Sequence, residues 1–187
     1  MMFPEIAEML ALCLLGMVVF LNSISTTAPS VSLEGKTLWV LQTSPAPTEQ
    51  VLWAKTALHL LINGVPSLLF IVIACIALQI PLTTSILLVT ATVLTALFTG
   101  LAGLLCNLLL PKLEWANEAV AVKQGMSVML ALLVNYTLIL AGVLVVIFTE
   151  IDPVVFIILF NTLLLALVLA CVYLLKGWGC RRFANLH

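Results

Sequence analysis

The amino-acid sequence predicts an all-α fold: a polytopic bundle of transmembrane helices, forming a single domain over residues 1–187. Three observations carry this. Hydrophobic residues make up 64% of the chain and charged residues 8%, where soluble domains carry roughly 25% charged residues. No water-soluble core could cover that much apolar surface. The apolar residues fall in long runs, not in the alternating segments of about ten residues that build a closed barrel. The Lys and Arg residues all fall in gaps that would share one face of a membrane.

Five runs stand out, at about residues 6–22, 57–80, 85–110, 126–148 and 154–175. A hydrocarbon core about 30 Å thick asks for about 20 helical residues. The first run is at the short limit, and the third is long enough to tilt or bend. A secretory leader would carry Lys or Arg ahead of its apolar stretch. Glu5 and Glu8 stand there instead, so the first run reads as a retained span. Lys36 and Lys55 follow the first run, Lys112 and Lys123 the third, and Lys176, Arg181 and Arg182 the fifth. With five crossings, all of them lie on one side. Glu5, Glu8, the Pro81–Thr84 turn and the Glu150/Asp152 turn lie on the other. Basic excess marks the cytoplasmic side, which predicts an outside N-terminus and a cytoplasmic C-terminus. An outside N-terminus on so short a tail suggests the C-terminal portion of a longer membrane protein, without its first helix.

Inside the runs, Thr92, Ala96 and Gly100 fall four apart, as do Thr95, Thr99 and Gly103. Small residues at this spacing let helices approach closely, which predicts a packing face. Asn107, Asn135 and Asn161 are expected to hydrogen-bond between helices. No Asp, Glu, Lys or Arg occupies the middle of a run, and ion-coupled transporters usually place one there. His59 and Pro66 are expected to mark an interfacial start and a bend in the second span. The five cysteines are scattered, without a C-x-x-C pair, and read as small apolar residues. A net charge of −1 excludes a basic nucleic-acid binder.

The longest polar interruption is Leu33–Lys55, which holds Trp39, Trp53, Pro45 and Pro47. Connectors are normally short and poor in bulky apolar residues, so this stretch is expected to dock a cytoplasmic partner. Gly35-Lys36-Thr37 imitates the end of a phosphate-binding loop, but Ser30 stands where the motif needs its first glycine. No cofactor site, metal site or catalytic constellation is expected. Glu114 and Glu118, beside Trp115 and Asn117, read as a polar interfacial helix.

Two stretches resemble the permease subunits of ABC-2-type exporters, in particular one bacterial exporter branch. They are Glu34-Gly35-Lys36-x-Leu38-Trp39-x-Leu41-x-Thr43-x-Pro45, ending in Leu52-x-Ala54-Lys55, and Pro111-Lys112-Leu113-Glu114-Trp115-x-Asn117-Glu118, followed by Val122-Lys123-Gln124. The tail Lys176-Gly177-Trp178-Gly179-x-Arg181-Arg182-Phe183 is similar as well. The resemblance implies a membrane-spanning permease in a bacterial plasma membrane, not itself an enzyme, coupled to a separate ABC ATPase subunit. Residues 33–55 would be its cytoplasmic coupling loop. Glu34, Lys36, Leu38, Trp39, Leu41, Glu114, Trp115 and Glu118 would meet the ATPase. Membrane lipids are its other expected partner, and a homo- or hetero-dimer of permease chains is compatible with it. Ala46 and Pro47 depart from the family pattern, and the Thr149–Pro153 turn is shorter than the re-entrant region of many such permeases. Two other readings remain open: a small membrane scaffold or regulator without transport, and a fragment of a secondary transporter.

Overall fold

The computed structural model describes residues 4–43, 45–115, 122, 125–149 and 151–186. In chain order these form α1 (Pro4–Leu21), a 3₁₀ turn (Ser32–Thr37), α2 (Leu38–Gln42), α3 (Thr48–Ala77), α4 (Leu82–Leu109), α5 (Met126–Phe148) and α6 (Pro153–Ala184). Among the described residues there is no strand. The fold is an all-α bundle.

Among the described residues four helices, α3 to α6, are long and apolar enough to cross a membrane; the apolar part of α1, Ala7–Leu21, is shorter. This differs from the five spans expected. The difference lies at Asn22, where apolar sequence gives way to a run rich in Ser and Thr. Such side chains compete for backbone hydrogen bonds and end helices.

Local chemistry explains the other boundaries. Pro47 precedes the first turn of α3 in an extended conformation, a position where proline's missing N–H costs nothing. The second span therefore begins at Thr48 and takes the end of the expected 33–55 loop into a helix. The bend expected at Pro66 takes the form of a π-turn over Leu60–Gly64. A widened turn accommodates a residue that has no N–H and crowds the carbonyl four positions back. A second π-turn, Leu175–Gly179, carries α6 past the expected end of the last span. Asp152 caps α6, its Oδ1 accepting from the N–H groups of Val154 at 2.8 Å and Val155 at 3.2 Å. Pro153 supplies the first helical position.

The central helix is α4. Its most apolar window is 61% buried, against 11% for α5, so α4 forms the core and α5 faces mostly outward. The buried stripe of α4 includes Thr92, Thr95, Ala96, Thr99, Gly100 and Gly103. The Thr92, Thr95 and Thr99 hydroxyls donate to carbonyls one turn back, so they lie buried without an unmet donor. Ala96 faces Gly64 of α3, while Gly100 faces His59 and Thr56. Gly103 faces Ser25 and Thr27 instead, which belong to no helix.

That last contact belongs to a non-helical strap, residues 22–31, which follows α1. The strap runs antiparallel along α3. Asn22 Nδ2 donates to Ser67 Oγ at 3.0 Å, and Asn63 Nδ2 donates to the Ile24 carbonyl at 2.8 Å. The Thr26 N–H donates to His59 Nδ1 at 3.3 Å, and Lys55 Nζ donates to the Ser30 carbonyl at 3.0 Å. From Ser67 to Lys55 these partners span about 18 Å of helix, at about 1.5 Å per residue. On the strap's other side, Asn135 Nδ2 donates to the Ser23 carbonyl at 2.8 Å and Thr27 Oγ1 to the Gly100 carbonyl at 2.5 Å. Irregular backbone at membrane depth survives only where protein satisfies its polar groups. Three helices do so here. His59, expected at the interface, is fully buried in this seam. Its Nδ1 accepts from the strap, so Nε2 carries the proton and donates to Thr99 Oγ1 at 3.1 Å.

Candidate functional site

The strap delivers the chain to Ser32, where the two polar segments singled out in the sequence meet. The Ser32 N–H donates to Asn107 Oδ1 at 3.0 Å, and the Val31 N–H donates to the same oxygen at 2.6 Å. Asn107 Nδ2 donates to Ser32 Oγ at 2.7 Å and to Ser127 Oγ of α5 at 3.0 Å. The side chain of Asn107 is thus buried at the end of α4 with both donors and its acceptor used. Ser32 reaches onward. Its Oγ accepts from the Lys112 N–H at 3.0 Å, and its carbonyl accepts from the Trp115 indole at 2.8 Å. One serine therefore ties segment 33–42 to segment 111–115.

Gly35 completes the joint. Its φ of +48° is one that side-chain-bearing residues rarely adopt, and a Cβ there would lie 3.1 Å from the Leu113 carbonyl and the Trp115 indole nitrogen. The glycine of the apparent phosphate-loop imitation thus serves a close backbone approach. Glu34 is held by Lys55 at 2.7 Å, with both side chains partly buried. The C-terminal tail closes the platform: Gln42 Nε2 donates to the carbonyls of Phe183 at 2.8 Å and Leu186 at 2.9 Å. Phe183 is 1% exposed, which anchors the tail.

Between these segments lies a groove of about 250 Å³, lined by Gly35, Leu38, Trp39, Gln42, Glu114 and Leu186 among others. The expected docking residues divide. Trp39 is 63% exposed, and Glu114 is exposed beside it on the groove. Leu38, expected on an exposed apolar edge, is 3% exposed, and Leu41 packs against the core. The reason is helical spacing: positions 38 and 41 share the inward face of α2, leaving Trp39 and Val40 outward. Trp115 is half-buried and committed to Ser32. Glu118, Lys123 and Glu150 lie outside the described residues, as does the side chain of Lys36. Sequence reasoning missed Ser32, Gln42 and Leu186; a lone Asn such as Asn107 near the end of an apolar run was the only available cue.

All these elements sit at one end of the bundle, where Lys55, Lys112, Lys176 and Arg182 also gather. Arg182 Nε donates to the Leu108 carbonyl at 3.4 Å, and Lys176 pairs with Glu49 at 3.2 Å. Away from this end, Leu15, Gly16, Gly142, Val146 and Phe156 are among the residues lining an apolar cavity of about 230 Å³ between α1, α5 and α6. No group of His, Cys, Asp and Glu among the described residues could hold a metal ion.

The family described as "Putative ATP-binding cassette" matches residues 2–176, from α1 to the π-turn of α6. No curated protein and no solved structure matches the chain. With nearly the whole bundle inside the match, the chain belongs to this family and is related to ABC transporters.

Proposed function

We propose that the chain is the membrane-spanning permease component of an ABC exporter and that its basic end docks a separate ATPase. The observation that carries this reading is Trp39: a large apolar side chain, 63% exposed, standing on a platform fixed from below by Leu38, Ser32 and the C-terminal tail. Aromatic anchors held in place in this way dominate protein interfaces. The match takes in α1 and the helices α3 to α5 with most of α6 and, among the described residues, no strand, and Gly35-Lys36-Thr37 lies in a 3₁₀ turn rather than between a strand and a helix as a phosphate loop requires. Both points favour a permease role over an ATPase role.

A secondary-transporter fragment draws on one specific observation, the buried polar seam around His59. Co-purification separates the two readings, since only the permease needs an ATPase. Trp39→Ala is expected to weaken ATPase capture about thirtyfold, the equivalent of about 2 kcal/mol, with membrane insertion unchanged. Trp53 packs against the core, and Trp53→Ala is expected to lower expression instead. Equal capture by wild type and Trp39→Ala at matched expression would remove the docking role.

A further inference from the structure

Beside the Trp39 groove, sharing Leu113, Glu114 and Leu186 with it, is a second and larger concavity of about 540 Å³. Its charged lining is Lys112, Arg182 and Glu114, with Asn185 as a further polar group. Both ion pairs found among the described residues lie elsewhere, Lys55 with Glu34 and Lys176 with Glu49. Lys112 and Arg182 therefore face this cavity without a carboxylate partner among the described residues. Arg182 spends its Nε on the Leu108 carbonyl at 3.4 Å, which sets its guanidinium over the end of α4 and leaves the terminal nitrogens to a ligand. Arg181, exposed, stands next to it.

The cavity also has a defined depth. Leu109 and Leu110, half exposed and apolar, immediately precede its Pro111–Glu114 wall. On α6, exposed Tyr173 and Trp178 precede Arg182, and such aromatic residues favour the membrane–water interface. Arg182 lies four residues beyond Trp178, about 6 Å at the helical rise. That is headgroup depth. We propose that this cavity binds the phosphodiester headgroup of an anionic phospholipid, with the acyl chains lying along Leu109 and Leu110. Two cations against one carboxylate leave a net single positive charge in the lining, which matches a singly charged phosphodiester. Glu114 repels the same ligand and sets the affinity below what the two cations alone would give. Basic groups at a membrane surface each strengthen binding to anionic lipid about fivefold.

The test uses the full chain in detergent. Lipid adducts are counted by native mass spectrometry during titration with phosphatidylglycerol or phosphatidylcholine. Phosphatidylglycerol is expected to bind in preference, Lys112→Gln and Arg182→Gln each to weaken it about fivefold, and Glu114→Gln to strengthen it. The gain in Glu114→Gln guards against misfolding as the cause of the losses. Equal binding of the two lipids, or undiminished phosphatidylglycerol binding in the double variant Lys112→Gln/Arg182→Gln, would overturn the site. Displacement of phosphatidylglycerol by millimolar inorganic phosphate would reassign it to the free anion and overturn the lipid. Displacement by an acidic octapeptide but not by phosphate would reassign it to a protein partner.

Discussion

Gly103 shows how far a single residue can be read. Its place in a small-residue stripe is legible from spacing alone, and the stripe is buried. What the stripe packs against was not legible, because spacing describes only one of two surfaces. Gly103 meets Ser25 and Thr27 of the strap: a Cβ would collide with Ser25 Oγ and lie 2.7 Å from Thr27 Oγ1. Gly103→Ala is therefore expected to lower the melting temperature of the detergent-solubilised chain. Overpacking of about 1–3 kcal/mol exceeds the roughly 0.5–1 kcal/mol that alanine gains over glycine inside a helix. Gly16 is the control. Nothing lies within 4 Å of its Cβ position, so Gly16→Ala is expected to leave the melting temperature unchanged or raise it. A neutral Gly103→Ala would mean that the strap does not sit against α4.

The strap and the platform are elements that the sequence announced only in part. A polar run after a short apolar run was visible, and so was the tryptophan-bearing stretch that follows. Ser, Thr and Pro favour turns and loops, so neither run carries a periodic pattern that would announce its packing. Their burial depends on side chains far away in sequence, Asn63, Asn107 and Asn135, and no local pattern reveals such partners. Asn107 is the joint of the whole platform, accepting from two backbone N–H groups and donating to Ser32 and Ser127. Asn107→Ala leaves the N–H groups of Val31 and Ser32 buried without their acceptor. Each such group costs about 1–3 kcal/mol, so a loss of at least about 2 kcal/mol is expected, read as a fall in melting temperature. Protease sensitivity should rise at residues 33–43 before it rises in α4. Asn161, whose Nδ2 donates to the Leu87 carbonyl far from the platform, provides the contrast: Asn161→Ala should not loosen that segment. Simultaneous loosening of both regions would mean that the platform has no hinge at Asn107.

At the scale of the molecule, the charge pattern and the contacts converge on one end. Lys55, Lys112, Lys176 and Arg182 all sit there, brought together by bonds among α3, α4, α6 and the platform. An N-terminus on the face opposite that end would require the α1–strap unit to cross the membrane as one. Its length permits this: 18 helical residues give about 27 Å, and the strap adds about 18 Å. The prediction is that the N-terminus and Thr37 lie on opposite faces. Single cysteines are placed at Thr37, Lys112 and Asp152 in a chain without its native cysteines, with an epitope before Met1. A membrane-impermeant maleimide is then applied to intact cells. Asp152 and the epitope should be reached from outside, and Thr37 and Lys112 only after permeabilisation, since basic ends face the cytoplasm. The reverse pattern would invert the bundle and place the Trp39 groove beyond the reach of a cytoplasmic ATPase. An epitope and a Thr37 cysteine reached from the same side would mean that the strap turns back inside the membrane rather than crossing it, leaving four passages in place of five.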